Sequence, residues 1–215
     1  MKDGLAVFLR SSAAFEIKDE HLRHFDRISP YFFRTPTPMS CDQLDAMGHV
    51  GALLVEGMSR NNSVHIVGVA SRGIPFATAV TMSLCADNRR QIHLSLLGKD
   101  GGTEHLARYP DSFTVVIDNA IVSGLTMSHA LESLRLAGTR VDLVLSLFDR
   151  EELDPAGSEP RRRLEVEFDC RVEFLYSLRD VIVSGLDAHQ RSILVEYARR
   201  FGTKSLREFV NGPIG

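Results

Sequence analysis

Residues 112–138 read SFTVVIDNAIVSGLTMSHALESLRLAG, and no other stretch limits the fold as tightly. Phe113 to Ile117 form a β-branched run as long as a strand buried on both faces, closing on the polar pair Asp118 and Asn119. Ser123, Gly124 and Thr126 then supply a turn. Met127, Ala130, Leu131, Leu134 and Ala137 follow at helical spacing, and Gly138 is a C-terminal stop. A strand running through a small-residue loop into a helix N-terminus makes an anion site, because unpaired backbone N–H groups and the helix dipole converge there. Taken alone, the stretch equally suits an ordinary corner of any α/β protein.

The same grammar recurs along the chain. Val64 to Ala70 is a second buried strand, followed by Ser71-Arg72-Gly73-Ile74-Pro75 and a helix from Phe76 to Ala86. This turn reads either as a plain βα connection or as a second phosphate cradle built from backbone N–H groups and Arg72. Further strands are expected at Gln91–Leu97, Val141–Phe148 and Val172–Ser177, with helices at Cys41–Ser59, Arg161–Phe168 and from Leu178. The first of these helices should pack on the sheet, whereas Arg161 to Arg163 read as a solvated face. The tail from Ala188 to Phe209 carries apolar residues at near-helical spacing and should pack. Upstream, Leu5 to Phe25 is helical or mixed, with FEIKDE open to a short strand, and SPYFF at 29–33 suits an edge strand. Its adjacent rings either fill the core or offer a stacking platform for a planar ligand. The Gly-rich stretch after Leu97, with Lys99 and Arg108, reads as a solvated loop or a lid.

Strands alternating with helices imply an α/β fold: a mostly parallel twisted sheet flanked by helices, with a ligand at the carboxyl ends of the strands. The 215 residues fit one domain, 1–215. A net charge of −3 provides no basic field for nucleic acid, and no apolar run reaches membrane-spanning length. With no signal-peptide pattern at the N-terminus, a cytoplasmic protein is expected. Cys41, Cys85 and Cys170 have no paired spacing and read as small buried apolar side chains, and the eight histidines show no metal-ligand spacing.

In order, SPYFF, VGVASRGIPFATAV, a Gly-rich loop, VVIDNAIVSGLT and SLFDREE resemble the type I phosphoribosyltransferases, most closely the orotate-specific branch, over nearly the whole chain. EYARRFG is similar to that branch's C-terminal helix. The resemblance implies the type I phosphoribosyltransferase fold, with a small N-terminal hood over the base site. The implied activity is phosphoribosyl transfer from phosphoribosyl pyrophosphate (PRPP) to orotate, a step of pyrimidine biosynthesis, giving orotidine 5′-phosphate and pyrophosphate. Mg²⁺ is the implied cofactor and a homodimer the implied assembly.

The resemblance also assigns residues. Asp118 would contact the ribose hydroxyls and, indirectly, the metal, with Asn119 standing where the family has a second acid. Ala120, Val122, Ser123, Gly124, Leu125 and Thr126 would form the PRPP loop, Ser123, Gly124 and Thr126 holding the 5′-phosphate. Val122 replaces a threonine that touches the base. Ser71, Arg72 and Gly73 would line the pyrophosphate, with Arg72 where a lysine is common. Phe32 and Phe33 would lie beside the base, Arg150 would meet the orotate carboxylate, and Lys18 answers to a lysine of the hood. In the catalytic loop the family's cations fall on Ser95, Leu96, Lys99 and Gly101, so that Lys99 alone retains its charge. These departures admit two alternatives: a catalytically weak regulatory domain that binds PRPP or a nucleotide, and a phosphoribosyltransferase for a different base.

Overall fold

The computed structural model describes residues 15–24, 27–33, 40–69, 71–86, 89–98, 108–184 and 186–213, with the backbone course alone for 18–24. β1 (Phe15–His24) and β2 (Arg27–Phe33) form an antiparallel hairpin. After α1 (Cys41–Met58) come β3 (Ser63–Val69), α2 (Gly73–Cys85), β4 (Gln91–Leu97) and β5 (Phe113–Ile121). The chain continues through α3 (Leu125–Leu136), β6 (Leu143–Asp149), α4 (Pro160–Phe168) and β7 (Arg171–Ser177). It closes with α5 (Leu178–Val183), α6 (Ala188–Phe201) and α7 (Lys204–Asn211).

Strands β3 to β7 make one five-stranded sheet in the order β4-β3-β5-β6-β7, parallel throughout. Their apolar runs are continuous because both faces are covered. On one face, Val64, Ile66, Val115, Ile117, Leu143 and Leu145 pack with Phe76, Val80 and Leu84 of α2. On the other, Val67, Val116, Val144 and Val172 pack with Met127, Leu131 and Leu134 of α3 and Leu164 of α4. The helices that follow neighbouring strands β3 and β5 therefore leave on opposite faces. β3 leads to one edge of the sheet and β5 to the other, so a crevice opens between their carboxyl ends, the place where open α/β sheets bind ligands.

Several local expectations are corrected. Residues 15–24, expected to be helical or mixed beyond a short strand, form β1, because pairing with β2 satisfies the backbone that a helix would otherwise have served. SPYFF is an edge strand, as expected, and its sheet is this separate two-stranded hairpin. Helix α1 packs chiefly against α2 and adds Met47, Ala52 and Val55 to the core. The tail divides into α6 and α7 at Gly202, where Thr203 caps the new helix by accepting from Leu206 N–H. Cys41 and Cys85 are exposed; only Cys170 is buried, and burial pushes its thiol up to about 11.

Candidate functional site

The two strand-loop-helix corners meet at the crevice. Strand β3 hydrogen-bonds to β5 with Gly68 opposite Ile117, so Ser71–Gly73 and Asp118 follow from adjacent strand ends. Gly73, the first residue of α2, lies so close to β5 that a Cβ there would stand 2.6 Å from the Ile117 carbonyl oxygen and 3.3 Å from Asp118 Oδ1. Only a residue without a side chain permits that approach. Ser71 and Arg72 are exposed in the turn before it.

Asp118 is 9% exposed, and burial raises its carboxyl to about pH 6 against the opposing pull of the Asn119 N–H and of Arg72. Its Oδ1 accepts from Asn119 N–H at 2.7 Å. Asn119 and Ala120 are half-buried at the end of β5. Downstream, Val122 and Ser123 are half-buried, Gly124 is buried, and Leu125 and Thr126 are exposed in the first turn of α3. Gly124 takes φ +74° at the N-cap without a side-chain cap, while Ser123 Oγ accepts from Leu125 N–H at 3.3 Å. The remaining first-turn N–H groups of α3 have no intrahelical partner by construction, an arrangement chemically suited to an anion.

Next to this loop, β6 runs in register with β5 so that Asp149 lies opposite Ile121. Arg150 and Val122 thus follow neighbouring strand ends. Arg150 is buried: its Nη2 lies 2.8 Å from Glu152 Oε1 and donates to Ser29 Oγ at 2.9 Å, Nε donates to Glu152 Oε1 at 3.0 Å, and its guanidinium lies 4.3 Å from the Tyr31 ring centroid. Tyr31 O–H donates to Glu152 Oε1 at 2.6 Å, and burial pushes that hydroxyl well above its ordinary value. Arg27 extends the tie by donating to the carbonyls of Leu153 and Asp154. Hairpin and strand end are one buried polar assembly. Asp149, beside Val122 on a cavity of about 200 Å³, is raised to about pH 7 by burial.

The expected aromatic pair is split. Strand alternation sends Tyr31 and Phe33 to one face and Phe32 to the other. Phe33 stacks on Phe148 at 4.5 Å within the core, whereas Phe32 is half-buried. Lys18 lies on β1, in the stretch where side chains are not described, and Lys99 falls outside the described residues. The triple arginine is corrected in one member: Arg161 and Arg162 are exposed, but Arg163 reaches the phosphate-type loop and its Nη2 donates to the Ser123 carbonyl at 2.5 Å. No sequence signal marks that contact, since it joins residues forty positions apart.

Among the described residues no group of three or more His, Cys, Asp or Glu is placed to hold a metal ion. The Asp118 carboxylate and Asn119 amide are hard oxygen donors, the kind Mg²⁺ accepts when substrate phosphates complete its shell. Among the described residues no helix is long and apolar enough to cross a membrane.

No protein-family model matches the chain. It is 26% identical over 166 residues to an orotate phosphoribosyltransferase of Serratia proteamaculans, covering 73% of this chain and 76% of that protein. It is 26% identical over 188 residues to one of Methylococcus capsulatus, covering 82% and 86%. The crystal structure of orotate phosphoribosyltransferase from Francisella tularensis superimposes with a TM-score of 0.76 at 18% identity, covering 93% of this chain and all of that one. The fold is that of the type I phosphoribosyltransferases, and the resemblance borne by the motifs holds over roughly three quarters of the sequence.

Proposed function

We propose that this chain, a sequence relative of orotate phosphoribosyltransferases with their fold, transfers the phosphoribosyl group of PRPP to a planar base, orotate being the expected acceptor. The observation that carries the reading is the convergence of two anion-type corners on one crevice, with Asp118 between them. A ligand bearing phosphate at one end and pyrophosphate at the other, joined by a ribose, matches that arrangement.

In this reading the α3 loop at Ser123–Thr126 holds the 5′-phosphate through backbone N–H groups and the helix dipole. Ser71, Arg72 and the N-terminus of α2 face the pyrophosphate, where Arg72 offers a charge-assisted donor to the departing group. Asp118 accepts from the ribose hydroxyls, and its charge favours the cationic character that develops at C1 as the C–O bond to pyrophosphate breaks and the C–N bond to the base forms. Asp118 and Asn119 are the residues that would hold Mg²⁺, which would supply charge neutralisation of the leaving group when bound. Phe32 and Arg150 are the residues assigned to the base side; Arg150 would present its guanidinium to a carboxylate only by exchanging bonds now made with Glu152 and Ser29.

A second reading, a regulatory domain that binds PRPP with little turnover, is favoured by Asn119 in place of an acid. Incubation with PRPP, Mg²⁺ and orotate, following orotate loss and pyrophosphate release together, separates the two. Coupled loss and release support transfer; PRPP binding without release supports the regulatory reading; release only with another base reassigns the acceptor.

A further inference from the structure

Arg163 sits on α4 behind the phosphate-type loop, and the proposed chemistry gives it no role of its own. Its Nη2 donates to the Ser123 carbonyl at 2.5 Å, and Nη1 lies 3.9 Å from Asp154 Oδ2. Its Nε is buried without a hydrogen-bond partner among the described residues. A buried N–H left unpaired is unfavourable, so this guanidinium is held by what its Nη atoms meet, the Ser123 carbonyl above all. The loop is shaped around it: a Cβ on Gly124 would stand 3.1 Å from Arg163 Nη2 and 3.5 Å from both Leu164 Cδ1 and Pro160 Cβ.

Carbonyl and N–H of a trans peptide point in opposite directions. With the Ser123 carbonyl turned toward α4, the Gly124 N–H of the same peptide unit points away from α4. A cation on the oxygen also polarises the amide, so its N–H becomes a stronger donor to an anion on the far side. We propose that Arg163 is a positioning residue for the phosphate end of the substrate, acting through the Ser123–Gly124 peptide, which it orients and polarises from behind. The ligand class is a sugar 5-phosphate, and the inference rests on the PRPP-binding reading above. Asp154 faces the guanidinium across 3.9 Å: its Oδ1 is occupied by the N–H groups of Ala156 and Ser158, leaving Oδ2 toward Arg163.

Titration calorimetry of the full chain and of Arg163→Met and Arg163→Lys, with ribose 5-phosphate and separately with pyrophosphate in the presence of Mg²⁺, tests this. Arg163→Met should weaken ribose 5-phosphate about tenfold and Arg163→Lys about threefold, the order of effect of losing one charge-assisted donor. Pyrophosphate, held at the other corner, should bind all three alike. Under turnover, KM for PRPP should rise in Arg163→Met while kcat at saturating PRPP stays within about threefold, because a uniform binding contribution is removed. Equal weakening of both ligands would show a fold-wide effect and overturn the positioning role, as would unchanged ribose 5-phosphate binding in Arg163→Met while the parent chain binds both. Failure of the parent chain to bind either ligand would overturn the PRPP reading and this inference with it.

Discussion

At the scale of single residues, Asp118, proposed to hold the ribose hydroxyls, shows how a group placed for binding would work against stability. Its carboxyl titrates near pH 6 when folded and at about 3.9 in an unfolded chain, so the folded state holds the proton more tightly and loses stability as pH rises through that window. Asp118→Asn should therefore raise the unfolding free energy at pH 8, by about 1–3 kcal/mol, with little change at pH 4, while lowering PRPP turnover at least about a hundredfold. Urea titrations at the two pH values check the first half and the coupled assay the second. Gly73 carries the opposite balance. Gly73→Ala must push α2 away from the Ile117 carbonyl, a strain of about 1–3 kcal/mol, and should weaken pyrophosphate binding as the corner shifts. Lys99, which the resemblance equates with a loop cation, is proposed to act on the transferring group: Lys99→Ala should lower turnover far more than PRPP affinity, and equal turnover would remove it from the mechanism.

At the scale of elements, the hairpin is fastened to the sheet by buried polar contacts as much as by its rings. Glu152 receives Tyr31 and Arg150, and the ion pair is almost wholly excluded from water. Removing one partner leaves the other charged and buried, so Glu152→Ala should destabilise by about 3–5 kcal/mol, whereas Tyr31→Phe should cost about 1–2 kcal/mol. Equilibrium denaturation measures both; a small loss in Glu152→Ala would mean that Arg150 finds another partner or reaches water. The same contacts bear on the base side proposed for Arg150, which is held where the hairpin and the end of β6 meet. The segment that follows also joins the C-terminal helices, through Leu153 N–H to the Phe201 carbonyl and Thr203 N–H to the Glu151 carbonyl. Hairpin, strand end and tail are thus coupled at one short stretch.

At the scale of the whole molecule, opposite helix placement after β3 and β5 opens the crevice, and a ligand that bridges its two sides should stabilise the chain as a unit. PRPP with Mg²⁺ at a hundred times its dissociation constant should add about 2.7 kcal/mol, raising the thermal midpoint by about 5–10 °C. Scanning calorimetry over a range of PRPP concentrations checks this, and no concentration dependence would deny the site. The homodimer expected from the resemblance is a separate proposal, checked by light scattering on the purified chain.

The order of strands and helices was legible because buried parallel strands leave continuous apolar runs and βα corners leave small residues between them, so Asp118, Ser123, Gly124 and Gly73 could be named from local pattern. Other features were decided by tertiary contacts. That Phe33 joins the core while Phe32 turns away depends on the register of a hairpin; that residues 15–24 extend rather than coil depends on a partner strand. The tail's division at Gly202 and the exposure of Cys41 and Cys85 follow from what packs around them. Arg163 is the sharpest case. Sequence places it within a charged run on a helix, and only the packing of α4 against the α3 loop turns one member of that run inward to a carbonyl. Local pattern records what a segment can bury or bend; which distant segment it then meets is set by the summed burial and hydrogen bonding of the whole chain.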